Sequence, residues 1–276
     1  MAIKLQEPVG TRKRYEKALK RYARRLQKAS NDILIPEVLR IVELAQRYRP
    51  DAAGARADEE SWIEMLERLL EETLGIVTSV QEEQLAAVIG KNRLTAGSSI
   101  SAIAKDVSQN SARQISRITK SQYGEAYGGA EPWLDDILLA WERENLKLIK
   151  TIPERYVEDL QGTIVRAVNS GKSATDLSAI IKGTYDVPVK RAQLIANDQV
   201  GKLHSQLAKT RLQAIGVKEY KWRGIMDDRE RPEHRAREGK TFKWSDPPSD
   251  GHPGQPIHCR CYPEPVFPPR DEAKLQ

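Results

Sequence analysis

Residues 217–266 read VKEYKWRGIMDDRERPEHRAREGKTFKWSDPPSDGHPGQPIHCRCYPEPV, and this stretch decides how the fold is read. Up to Gly216 the chain is written in helical periods. After it Tyr220, Trp222 and Ile225 follow the manner of a strand, and Pro, Gly, His and Trp dominate to Pro269. The stretch also gathers chemistry. Three of the four histidines and both cysteines fall within the 28 residues from His234 to Cys261. A Cys-x-Cys pair does not easily bridge to itself, but two thiolates one residue apart can grip one metal ion. With His234 and one of His252, His258, Asp227 or Asp228, Cys259 and Cys261 would make a tetrahedral Zn²⁺ set. The plainer reading is a loop-rich cap held by Arg–carboxylate pairs and packed Trp, its thiols merely buried.

Working backwards from the cap, apolar residues recur at helical spacing. Helices are expected over Val189–Ile215, over a short run to Ile181 opened by a Ser173–Asp176 capping box, and from Pro153 to a stop at Asn169-Ser170-Gly171. Another is expected over Leu134–Ile152, and a weaker one over Ser98–Tyr123. Gly124–Pro132, with three Gly and a Pro, reads as a hinge. Further upstream, an acidic helix is expected over Asp58–Ala87 and a short one over Pro36–Tyr48. The fold class is therefore mainly α: an elongated helical N-terminal half and a compact C-terminal α+β domain ending in a small loop-rich cap. The expected division is 1–130, 131–267 and a tail of 268–276.

Charge is distributed unevenly. Residues 1–50 hold 13 Lys/Arg against 5 Asp/Glu, a net of +8, while residues 51–90 hold 2 against 10, a net of −8. Nine of the cations lie on one predicted helix: Arg12, Lys13, Arg14, Lys17, Lys20, Arg21, Arg24, Arg25 and Lys28. Its Tyr15, Leu19, Tyr22 and Leu26 are spaced by 4, 3 and 4, placing them on one face with charge over the rest. Such a helix suits nucleic-acid backbone or an acidic protein surface. The competing reading is a solvated helix partnered by the acidic 58–83 segment. On the binding reading, removing residues 1–29 would leave the C-terminal domain folded.

Several classes are excluded. No run approaches the roughly 20 apolar residues of a membrane span, and residues 1–14 lack the apolar core of a secretory signal. Two cysteines make no disulfide framework, which fits a reducing compartment. Gly171-Lys172-Ser173 imitates the end of a phosphate-binding loop, but the Gly required five residues earlier is Arg166. There is no HExxH and no GxSxG. A helix-turn-helix over Ser173–Ile215 would need a tighter turn than Gly183–Pro188.

From about Leu148 to Val266 the chain resembles the phage head-morphogenesis family, of Mu protein F-like or SPP1 minor-head type. The residues that carry the likeness are Ile152-Pro153, Gly171-Lys172-Ser173, Arg191-Ala192 and Leu194-Ile195-Ala196. They continue through Tyr220-x-Trp222, Asp227-Asp228-Arg229, His234, Gly239-Lys240, Pro253-Gly254 and Cys259-Arg260-Cys261, with Trp244 inside the same run. The chain departs at His258, where Asn is common, which favours His234, Cys259 and Cys261 as the metal ligands. The resemblance implies a non-enzymatic minor head protein of a tailed bacteriophage, made in the host cytoplasm and built into the virion near the portal vertex. Its implied partners are the portal protein, the major capsid or scaffolding protein, and DNA. Its C-terminal module would be a rigid docking piece. The rival from another class is a metal-dependent, HNH-like nuclease, in which a His activates water beside a metal.

Overall fold

The computed structural model describes residues 4–29, 31–32, 35–40, 64–65, 68–69, 71–72, 99–184 and 186–276. Among them the named elements are α1 (Val9–Ala29), α2 (Ile100–Tyr123), α3 (Leu134–Asn169), α4 (Ala174–Gly183), α5 (Asp186–Ala214), β1 (Glu219–Arg223), α6 (Pro232–Arg235), β2 (Thr241–Lys243) and β3 (Tyr262–Val266). The protein is mainly α with a small β part, as its sequence predicts. No helix among the described residues is long and apolar enough to cross a membrane. Within the expected Pro36–Tyr48 helix, residues 36–40 are helical and the rest lies outside the described residues. The expected acidic helix lies outside them as well, save three helical pairs at 64–65, 68–69 and 71–72.

Contacts cluster into two units, each discontinuous in sequence: 1–16, 97–145 and 194–276 in one, 17–96 and 146–193 in the other. The boundary expected after residue 130 falls inside the first unit, between α2 and α3.

In the first unit, α2 is opened by the Ser99 hydroxyl, which accepts from the Ala102 amide at 3.1 Å, and closed by Gly124 in the left-handed region. Its Ile115 and Ile118 join Leu212, Ile215, Tyr220 and Trp222 in one apolar cluster. Tyr15 of α1 is fully buried, its hydroxyl donating to Asn145 Oδ1 at 2.9 Å. The sheet has the order β2-β1-β3, antiparallel throughout. Along β1 the side chains of Tyr220 and Trp222 point inward while Glu219, Lys221 and Arg223 stay at least partly exposed. Pro263 and Pro265 sit opposite Trp222 and Tyr220 on β3, an edge strand, where the outer side of a proline has no ladder bond to lose.

One ion pair, fully buried on its arginine side, anchors the unit. Arg211 of α5, 1% exposed, grips Glu131 through Nε and Nη2 at 2.5 and 2.8 Å and donates to Ser108 O and Oγ, both at 3.0 Å.

In the second unit, α1 buries Leu19, Tyr22, Ala23 and Leu26, and α3 buries Ile149, Ile152, Tyr156, Leu160 and Ile164. Here the structure corrects the sequence reading: Leu134–Ile152 and the helix from Pro153 are one 36-residue helix with Pro153 inside it. An internal proline costs about 3 kcal/mol. Burying Ile149, Ile152 and Tyr156 around it contributes roughly 1.5–3 kcal/mol each, which outweighs that cost. The Gly-Lys-Ser sequence is a helix stop followed by a helix cap. Lys172 N donates to Ala167 O at 3.0 Å and Gly171 has φ +69°. Ser173 and Asp176 form the expected reciprocal capping box.

Candidate functional site

The cap gathers around His234. Pro232 starts the single turn of α6, as proline does readily at a first helical position, and this turn carries His234 inward to 1% exposure. Its Nδ1 stands 3.4 Å from Cys261 Sγ, 3.7 Å from Cys259 Sγ and 3.6 Å from Glu230 Oε1. Its Nε2 meets Asp250 Oδ2 at 2.9 Å, and Asp250 also accepts from Arg237 at 2.6 Å. A hydrogen on Nε2, donated to Asp250, leaves the Nδ1 lone pair aimed at the two sulfurs. Trp222 packs edge-on against the imidazole, centroids 5.1 Å apart, and the Arg237 guanidinium covers the Trp222 ring at 4.9 Å.

The Cys-x-Cys turn is held from three sides. Cys261 donates to Glu230 Oε1 at 2.9 Å. The Gly254 amide donates to Cys259 Sγ at 3.3 Å. Between the two thiols, Arg260 turns outward and takes both oxygens of Asp227 at 2.6 and 2.5 Å. Gly254 has φ +86°, and a Cβ there would lie 2.7 Å from Ser205 Cβ, so no other residue fits without displacing α5. Gly239 has φ +73° in the turn that leads into β2, and its amide donates to Trp222 O at 2.8 Å.

Electrostatics follow from these contacts. The Arg260 guanidinium holds the Asp227 carboxyl far below the usual carboxylate range, aided by the Arg229 amide. For Glu230, burial opposes ionisation, but hydrogen bonds from Cys261 and the amides of Ile225 and Met226 outweigh it and lower its pKa. The same holds for Asp250, where donation from His234 and Arg237 overcomes burial. Of the two thiols, Cys259 ionises more readily. The neighbouring Cys261 thiol, the Gly254 amide and the nearby His234 lower its pKa against the opposing effect of burial. Cys261 is pushed up by Cys259, by burial and by Glu230.

The structure thus brings together the three residues favoured from sequence, His234, Cys259 and Cys261, whose ligand atoms all lie within 4.8 Å of one another. It places the expected fourth partners elsewhere. His252 is buried with its Nδ1 3.0 Å from the Tyr220 hydroxyl, and its ring packs on Trp244 at 5.0 Å. His258 is exposed, with φ +57° and its amide bonded to Asp198 at 3.1 Å. That left-handed backbone is one that Asn and His tolerate better than most residues, which is a physical reason for Asn to be common there. Asp227 is taken by Arg260, and Asp228 is exposed. Glu230 and Asp250 were missed in the sequence. Glu230 had a signal, its separation of four from His234. Asp250 had none, since it reaches His234 from a Pro-rich loop. For the nuclease reading, His234 offers no free base: both ring nitrogens are engaged.

Beside the two thiols lies a cavity of about 320 Å³, walled also by Leu5 and His204. Neither ring nitrogen of the buried His204 has a hydrogen-bond partner, and burial together with Arg211 lowers its pKa to about 4.

The basic helix is more committed than its sequence implied. Arg12 pairs with Glu7 at 2.7 Å and donates to Asn197 at 2.9 Å, Arg14 pairs with Asp106, and Lys28 pairs with Asp32 at 2.8 Å. Lys20 is only partly exposed. Lys13, Lys17, Arg21, Arg24 and Arg25 are exposed and make no ion pair among the described residues. The acidic 58–83 segment that would compete for them lies almost wholly outside those residues.

A protein of Haemophilus influenzae described only as uncharacterized is 34% identical over 169 residues, covering 60% of this chain. The chain spans 38% of that relative's length. No solved structure matches. The family model described as Phage Mu protein F like protein matches residues 158–263, a range that includes His234, Cys259, Cys261, Glu230 and Asp250. Over those residues, from the middle of α3 to the start of β3, this chain is similar to the Phage Mu protein F like family.

Proposed function

We propose that this chain is a minor head protein of a tailed bacteriophage, built into the head near the portal vertex during capsid assembly. The match of residues 158–263 to the Mu F-like family carries the reading. The role is structural. The cap, with its inward-facing Trp222 and His234 and its outward Arg–carboxylate pairs, serves as a rigid docking piece for the portal and for the major capsid or scaffolding protein. DNA contact is assigned to the exposed cations of α1, since Lys17, Arg21 and Arg24 follow one another at helical spacing and would displace counterions from phosphate. The protein is made in the host cytoplasm and ends in the virion.

The test is assembly itself. The head-assembly proteins are co-expressed with this chain, and procapsids are purified on a density gradient. The chain should sediment with portal-containing procapsids in a few copies each and stay at the top of the gradient when the portal is omitted. Procapsids that contain the portal but never this chain would remove the proposal.

A further inference from the structure

We propose that His234 Nδ1, Cys259 Sγ, Cys261 Sγ and a carboxylate oxygen of Glu230 bind one Zn²⁺ ion. The inference rests on the cap's geometry alone and stands or falls separately from the head-assembly reading.

Four observations converge. The first is spacing. Ligand atoms at Zn–N and Zn–S distances of roughly 2.0–2.3 Å and tetrahedral angles lie about 3.5 Å from one another. The Nδ1–Sγ separations are 3.4 and 3.7 Å and the Nδ1–Oε1 separation is 3.6 Å, while Cys261 Sγ and Glu230 Oε1 stand at a hydrogen-bonded 2.9 Å and would move apart once the thiol proton leaves. The second is orientation: Asp250 on Nε2 fixes which nitrogen faces the sulfurs, the carboxylate–histidine arrangement that supports a metal ligand. Arg237 in turn holds Asp250. The third is charge. Two thiolates and a carboxylate exceed the charge of one Zn²⁺ by one negative unit, and the Arg260 guanidinium lies close enough to Glu230 and Cys261 to interact with both. The Gly254 amide adds a hydrogen bond to Cys259, which stabilises a thiolate. The fourth is enclosure: His234, Glu230 and Cys261 are all buried, so no water is needed to complete the set. A closed Cys₂HisGlu shell describes a structural ion rather than a catalytic one. Zinc enters by displacing the thiol protons, including the one Cys261 now donates to Glu230.

The experiment uses the full chain under reducing conditions, stripped with a chelator and titrated with Co²⁺ alone. The expected result is one equivalent bound, with the visible bands of tetrahedral Co²⁺ and a near-ultraviolet thiolate charge-transfer band, both erased by one equivalent of Zn²⁺. If stripping unfolds the chain, recovery of its circular dichroism on adding Zn²⁺ counts equally in favour. Asp250→Asn, which removes no ligand, should keep the one-to-one stoichiometry and weaken binding about 10–100-fold. Glu230→Gln should alter the visible bands. A stripped chain that stays folded and gives no charge-transfer band would overturn the site. Unchanged affinity in Asp250→Asn would do the same, and an unchanged spectrum in Glu230→Gln would remove Glu230 from the set.

Discussion

The cap and α1 are built on opposite terms. In α1 one face of Tyr15, Leu19, Tyr22, Ala23 and Leu26 is buried and most of the rest is solvent-facing charge, so period determines structure and individual surface residues are interchangeable. In the cap, three short strands and a single helical turn cannot hold themselves, and named polar contacts do it instead: Arg260 on Asp227, Arg237 on Asp250, and Arg223 on Glu238 and Glu264. One region should therefore carry binding on a tolerant surface, and the other should carry shape on an intolerant interior.

The largest expected effects lie where both regions are alike, in their buried apolar residues. Trp222→Ala should cost about 3–5 kcal/mol and Leu19→Ala about 2–5 kcal/mol, read by urea unfolding. The second figure corrects the expectation that residues 1–29 can be removed. Leu5 and Tyr15 belong to the interior of the first unit and Leu19, Tyr22 and Leu26 to that of the second, so their deletion should unfold the chain. A folded, soluble truncation would put α1 outside the core after all.

Next in size is the response to acid, which should come from the first unit and not from α1's basic face. His204 in that unit has a folded pKa of about 4 against an ordinary 6.5. A base with a depressed folded pKa contributes stability above its unfolded value and loses it as pH falls towards the folded one. Stability should thus decline between pH 6.5 and 4, by up to about 3 kcal/mol for His204. His204→Leu should flatten that decline; an unchanged profile would show that the histidine does not govern it. Smaller again is Asp227→Asn. Its pair with Arg260 is about one-third exposed and screened by solvent, so the loss at neutral pH should be smaller than for His204, and it should shrink below about pH 4, where the carboxyl protonates in the unfolded chain while Arg260 still holds it ionised in the folded one. A loss independent of pH would mean that Asp227 acts through its shape and not its charge.

How much of this was legible in sequence follows the same division. Period and caps locate α1, α2, α4 and α5 because burial of a helical face depends on spacing alone. Pro153 is misleading for the converse reason: the local penalty of a proline is visible in sequence, while the packing of Ile149, Ile152 and Tyr156 that outweighs it is not. In the site, His234, Cys259 and Cys261 stand out because their residue types are rare and crowded together. Glu230 and Asp250 are ordinary acidic residues among many, and only the turn at α6 and the return of the 244–254 loop bring them to His234. The cap's wrong candidates fail for local reasons, His258 because its backbone turns it outward and His252 because Tyr220 and Trp244 enclose it.

The smallest stability effect belongs to the exposed cations of α1, and it gives the sharpest contrast. A variant with Lys17, Arg21, Arg24 and Arg25 all changed to Gln is compared with Asp227→Asn, each measured for thermal midpoint and for affinity to duplex DNA over a range of salt. The α1 variant should keep its midpoint to within the few tenths of a kcal/mol per residue usual for surface changes. It should also lose affinity and flatten the slope of log K against log salt by about 3 to 4. Asp227→Asn should do the reverse, lowering the midpoint while leaving the slope intact. An α1 variant that unfolds, or one that binds DNA as tightly and as salt-dependently as the parent, would contradict the division of labour between the two regions.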